Sequence, residues 1–103
     1  MEKLESKQQE QVLKKLEEVV DPELFVDVVS LGLIYELEKE KSNLKITMTL
    51  TFPGCPYGDT LMEQVKEKAE ELNLFEKVDV NLTFEPPWNP DKIDPDIRAA
   101  LNI

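Results

Sequence analysis

The chain has 103 residues, enough for one domain with a modest core and no disulfide staples. Its 22 acidic and 12 basic residues leave a net charge of −10, which argues against direct nucleic-acid binding and directs attention to protein partners, cations or a metal centre. A single cysteine rules out an internal disulfide, and no apolar run approaches the roughly 18 residues of a membrane span, so no membrane association is expected and the expected compartment is the cytoplasm.

Residues 1–103 read as a single domain, with 1–6 as a flexible N-terminus. Ser6 to Val20 predicts a helix, with a capping-box pattern Ser6-x-x-Gln9 and Val12, Leu13, Leu16, Val19 and Val20 on one face. Asp21-Pro22 ends it, because a residue before proline disfavours helical geometry. Asp21, Glu23 and Asp27 then place three carboxylates after a helix C-terminus, where the dipole opposes them. A bound cation, a partner's basic group or hydrogen bonds from the loop must compensate. The plainer alternative is a solvated turn, which Asp-Pro commonly starts.

After a partly apolar loop, Leu24 to Leu31, Gly32 leads into a strand over Leu33 to Lys39. Leu44 to Thr51 predicts a second strand, in which Leu44, Ile46, Met48 and Leu50 alternate with Lys45 and three threonines. The short polar link between them makes the pair an antiparallel hairpin. A helix over Thr60 to Asn73 carries Leu61, Val65, Ala69 and Leu72 on one stripe, started by Asp59 or by Thr60 with Glu63. Lys77 to Glu85 is a third strand, and Asp94-Pro95 caps a short last helix, Pro95 to Leu101. The order α-β-β-α-β-α gives an α+β, two-layer fold: a three-stranded mixed sheet with helices on one face, its second and third strands parallel through a helical crossover. Strand order does not follow from the pattern.

Cys55 lies in Pro53-Gly54-Cys55-Pro56-Tyr57-Gly58, between the second strand and the second helix. Two prolines stiffen the loop, and the glycines allow close approach or positive φ. A helix N-terminus favours the thiolate, the form that attacks electrophiles or binds soft metals. The alternative is a small residue that closes the loop. Glu85-Pro86-Pro87-Trp88-Asn89-Pro90 holds the only tryptophan, to wrap the end of the sheet or to present an aromatic platform. The chain has no histidine, which removes Ser-His-Asp and Cys-His nucleophile pairs and histidine-based metal sites. A thiolate cluster site would need further thiols from outside the protomer.

Four segments taken together carry a resemblance: Asp21-Pro22-Glu23-Leu24, the run from Asp27 through Gly32 to Tyr35, Thr51-Phe52-Pro53-Gly54-Cys55-Pro56, and Glu85 through Pro90. In order and content they resemble the SufT/PaaD-like family of iron–sulfur cluster assembly domains, which includes eukaryotic cytosolic iron–sulfur targeting factors. The likeness runs over about residues 10–100. It implies an iron–sulfur assembly-type α/β domain that carries, transfers or targets clusters to apoproteins. It also implies partners among assembly proteins and client apoproteins. Cys55 matches the family's reactive cysteine, Asp21 and Glu23 its acidic pair, and Thr51 the threonine beside the cysteine. Phe52 stands where a small hydroxyl residue is frequent, so no hydrogen bond is expected from it.

On this reading Cys55 supplies a thiolate ligand or exchange site, supported by Asp21, Glu23 and Thr51. Asp27, Glu85 and Trp88 close the site or meet a partner. The transient cluster is shared with a second protomer, as in a homodimer, or with a partner. No enzymatic activity is expected. Two alternatives remain: a protein-binding adaptor for a particular oxygenase or assembly complex, and a thiol-dependent enzyme.

Overall fold

The structure, a computed structural model, describes residues 2–101. Its elements are β1 (Glu2–Lys3), α1 (Ser6–Leu16), β2 (Ile34–Glu40), β3 (Asn43–Met48), α2 (Gly58–Glu70), β4 (Lys77–Leu82), a 3₁₀ turn (Pro90–Lys92) and α3 (Pro95–Leu101). The strands lie in the order β1-β2-β3-β4. β2 and β3 form an antiparallel hairpin, and β3 pairs in parallel with β4 through the α2 crossover.

The mixed three-stranded sheet of β2, β3 and β4 is the one expected, and strict alternation in β3 explains its layering. Leu44, Ile46 and Met48 are fully buried, whereas Asn43, Lys45 and Thr47 between them are not. Val12 and Leu16 of α1 and Leu61, Val65 and Ala69 of α2 join the same core, so both helices cover one face of the sheet. Each such buried valine, leucine, isoleucine or methionine contributes roughly 1.5–3 kcal/mol over its exposed state, and Ala69 less.

Several local expectations differ from what is observed: β3, β4 and α2 end three residues early, at Met48, Leu82 and Glu70. The expected flexible segment 1–6 is in part held: Glu2 and Lys3 pair with Lys39 and Glu38, and Leu4 is buried in the core, while Met1 lies outside the described residues. Burial of Leu4 draws the charged segment onto the sheet edge. The first helix stops at Leu16, because Glu18 and Val19 donate to Lys15 and Leu16 in tighter turns and Val20 bridges to Asp27. The Ser6 capping box does not form: Glu5 occupies the cap position without a side-chain bond. The second helix starts two residues early, at Gly58, with Asp59 in its first turn rather than at its cap.

Asp94 does cap α3, its carboxylate accepting from the Asp96 amide at 2.9 Å.

Candidate functional site

The segment between β3 and α2 is two linked turns. The Cys55 amide donates to Phe52 at 3.2 Å, and the Gly58 amide donates to Cys55 at 3.1 Å. Pro53 and Pro56 each take the second position of their turn, where proline's fixed φ is pre-set. Neither Gly54 nor Gly58 has a positive φ. Gly58 packs closely instead: a Cβ there would lie 2.7 Å from Leu50 Cδ1, the movable end of that side chain. Cys55 is a free thiol, half-buried against the core, directly ahead of α2. Among the described residues no group of three or more Cys, Asp or Glu side chains is placed to hold a metal ion.

The acidic loop resolves its own electrostatic problem. Asp21 is buried, and its Oδ1 accepts from the amides of Glu23 at 2.8 Å and Leu24 at 3.1 Å. Asp27 does the same farther on, with Oδ2 accepting from Val29 at 3.1 Å and Ser30 at 2.9 Å. The compensation is thus local backbone N–H groups, of the three options the sequence left open. Glu23 is exposed. No hydrogen bond joins Asp21, Glu23 or Thr51 to Cys55 among the described residues.

The segment after β4 is stitched across the loop that precedes β2. Trp88 Nε1 donates to the Leu31 carbonyl at 2.7 Å, the Tyr35 hydroxyl to Pro86 at 2.8 Å, and the Asp94 amide to Ser30 at 2.8 Å. Trp88 therefore wraps and pins the end of the sheet. Glu85 is exposed and lines a polar groove of about 510 Å³ on the uncovered face, with Tyr35, Thr47, Asn81, Thr83 and Lys92. Cys55 is not among its lining residues.

Ladder geometry gathers these segments. Ile34 and Leu82 both pair with Met48, the Thr49 amide donates to Leu33, and the Thr83 amide donates to Met48. The chain before β2, after β3 and after β4 consequently leaves one end of the sheet, so the Cys55 turns, the Trp88 segment and the loop that carries Asp27 all depart from that end. Sequence reasoning missed two residues here. Tyr35 sits at the register shift of β2, and burial pushes its phenol up while a Thr49 hydrogen bond pulls it down. Phe25 is 83% exposed with φ +58°. Tyr35 closes the second of the four segments that carry the resemblance, which was the signal available for it, whereas Phe25 carries none.

Comparison with known proteins agrees with this architecture. Residues 9–82 match the family described as iron–sulfur cluster assembly protein. The chain is 39% identical to the Fe-S protein maturation auxiliary factor YitW of Bacillus subtilis, over 97% of this chain and 99% of that protein. It is 36% identical to the Fe-S protein maturation auxiliary factor SufT of Staphylococcus aureus, over 82% of this chain and 98% of that protein. A crystallised domain of unknown function from Bacillus anthracis superposes with a TM-score of 0.87 at 33% identity, covering 94% of this chain and 93% of that one. The family match spans most of the chain and these relatives run nearly its full length, so the chain belongs to the iron–sulfur cluster assembly protein family.

Proposed function

We propose that this protein is an iron–sulfur protein maturation factor whose cargo, a cluster or its precursor, is held or exchanged at Cys55. The observation that carries the reading is the placement of the one thiol. Cys55 stands half-buried in a doubly proline-braced turn directly ahead of α2, and it is the one thiol the chain can offer to a soft metal. One thiolate leaves most ligand positions of an iron–sulfur cluster open. A second protomer or a partner protein supplies them, so the complex is transient and shared. The names of the relatives, YitW and SufT among them, support the maturation role.

In this reading Thr51 and Glu23 flank the exchange, and Asp21 and Asp27 shape the loop that a partner meets. Partners are assembly proteins and client apoproteins in the cytoplasm. The protein catalyses no reaction of its own, in keeping with a chain that has no histidine to serve as base for a cysteine nucleophile.

Anaerobic reconstitution with iron and sulfide, followed by absorption spectroscopy and sizing, tests the reading. A chromophore on a dimer or mixed complex, lost in Cys55→Ala, is the expected result. A chromophore that survives Cys55→Ala would overturn the thiol's role. So would unchanged maturation of cellular iron–sulfur enzymes in a Cys55→Ala strain under iron limitation.

A further inference from the structure

We propose that the loop from Val20 to Asp27 is a docking surface for a protein partner that presents an apolar socket set among lysine and arginine side chains, with Phe25 entering the socket. Three independent observations carry this. Phe25 is 83% exposed, while its neighbours Leu24 and Val26 pack against the core. The loop therefore sends one aromatic ring outward between two side chains that turn inward.

Phe25 also holds a φ of +58°, a region that glycine fills freely and a bulky residue rarely enters. The loop enforces it: the Phe25 amide donates to Asp21 at 2.8 Å and the Asp21 amide donates to Val26 at 3.0 Å. The buried Asp21 carboxylate fastens the turn between them. Strain held in place by so many bonds, at a residue with so little contact of its own, points to use outside the protomer. Val20, 45% exposed and bridged to Asp27 at the base of the loop, adds a second apolar contact.

Charge selects the occupant. Residues 16–38 contain no lysine or arginine, and Glu17, Glu23 and Asp27 supply acidic charge on the loop and its approach. The two ammonium groups that reach Glu18, those of Lys15 and Lys68, are each paired with both Glu18 and Glu71. A second copy of this chain would bring an acidic rim against an acidic rim, and an anionic membrane would be repelled in the same way. A basic protein surface fits. The inference goes beyond ligation at Cys55 and does not depend on it.

The test is calorimetric titration of the full chain with a synthetic amphipathic lysine/leucine peptide, alongside its glutamate/leucine counterpart. The lysine/leucine peptide should bind saturably, more weakly at high salt, and shift the amide resonances of residues 20–27. Phe25→Gly should weaken binding about tenfold or more, the scale of losing an interface aromatic anchor. Its thermal midpoint should not fall, because glycine accepts the backbone conformation. Absent or Phe25-independent binding overturns the proposal, as does equal binding of the glutamate/leucine peptide. So does a lowered midpoint for Phe25→Gly, which would make the ring a folding residue. A dimer that Phe25→Gly abolishes, or co-sedimentation with phosphatidylglycerol vesicles, would assign the surface to a second copy or to a membrane. A Cys55-dependent chromophore measured on the Phe25→Gly chain separates failure here from failure of the maturation reading.

Discussion

Trp88 Nε1 donates to the carbonyl of Leu31 at 2.7 Å, so the only tryptophan in the chain holds down the loop that leads into β2. Leu31 is fully buried, and its carbonyl has little access to a substitute donor. Trp88→Phe keeps most of the ring's packing and removes the donor. The expected cost is about 1–3 kcal/mol, the penalty of stranding a buried acceptor. A urea midpoint lowered at constant m-value measures it, and an unchanged midpoint would mean that water replaces the indole.

Tyr35 ties the same two segments from the other side, its hydroxyl donating to Pro86 at 2.8 Å. Burial raises its pKa above the ordinary 10.0, with a Thr49 hydrogen bond acting in the opposite sense. Folding thus favours the neutral phenol. The stability it contributes is fully present below about pH 10 and is lost as pH rises through the higher folded value. Tyr35→Phe should remove that alkaline loss and cost about 0.5–1 kcal/mol at neutral pH through the missing bond. Tyrosinate absorbance in a Tyr57→Phe background isolates the titration, and identical alkaline slopes with and without Tyr35 would refute the assignment.

Lys15, Glu18, Glu71 and Lys68 form a closed ring of four contacts between 3.1 and 3.6 Å that joins the ends of α1 and α2. The hydrogen bond to Lys15 is the main cause that lowers both Glu18 and Glu71, and Glu71 followed by Glu18 raises Lys15. The carboxylate contribution is present above the ordinary value of 4.5 and fades as pH falls through the depressed folded values. The Lys15 contribution is present below 10.5 and fades as pH rises past its raised value. These groups are solvated, so the effect is small. Lys15→Met should flatten both limbs of the thermal midpoint against pH in low salt. It should do nothing at about 1 M salt, where the Debye length is about 3 Å. Parallel curves for the two proteins in low salt would show that the ring contributes nothing.

Where the sequence was legible, one physical signal acted alone. The alternation of Leu44, Ile46 and Met48 marked β3 because one face is buried and the other is not. The parallel β3/β4 pairing followed because a helix separates the two strands. The end of the first helix was misread because Val19 is buried from a turn as completely as from a helix, and periodicity registers only the burial. The two-residue β1 is too short to show any period. At the site, Cys55 stood out by its neighbours in sequence, whereas the bonds that place Trp88 and Tyr35 span 57 and 51 residues. Asp21 was visible as a carboxylate, but its use by two backbone amides depends on a loop path that composition does not specify.

Two glycines separate stability from site geometry. Gly32 has φ +76°, and a Cβ there would run into the backbone carbonyl of Lys92. Both the conformation and an immovable atom oppose a side chain, so Gly32→Ala should cost about 3 kcal/mol or more. Gly58 meets only the far end of the Leu50 side chain, which can rotate away. Alanine also suits the first turn of α2 better than glycine, by up to about 1 kcal/mol. Gly58→Ala should therefore stay within about 1 kcal/mol of the parent. Leu50 is buried where the chain enters the Cys55 turns, so its displacement should be felt by the thiol. The two variants make the distinction measurable: Gly32→Ala lowers the thermal midpoint, and Gly58→Ala leaves it near the parent while changing the iodoacetamide alkylation rate of Cys55. If Gly58→Ala alkylates at the parental rate, the Cys55 turns are braced by Pro53 and Pro56 alone and Leu50 plays no part in presenting the thiol.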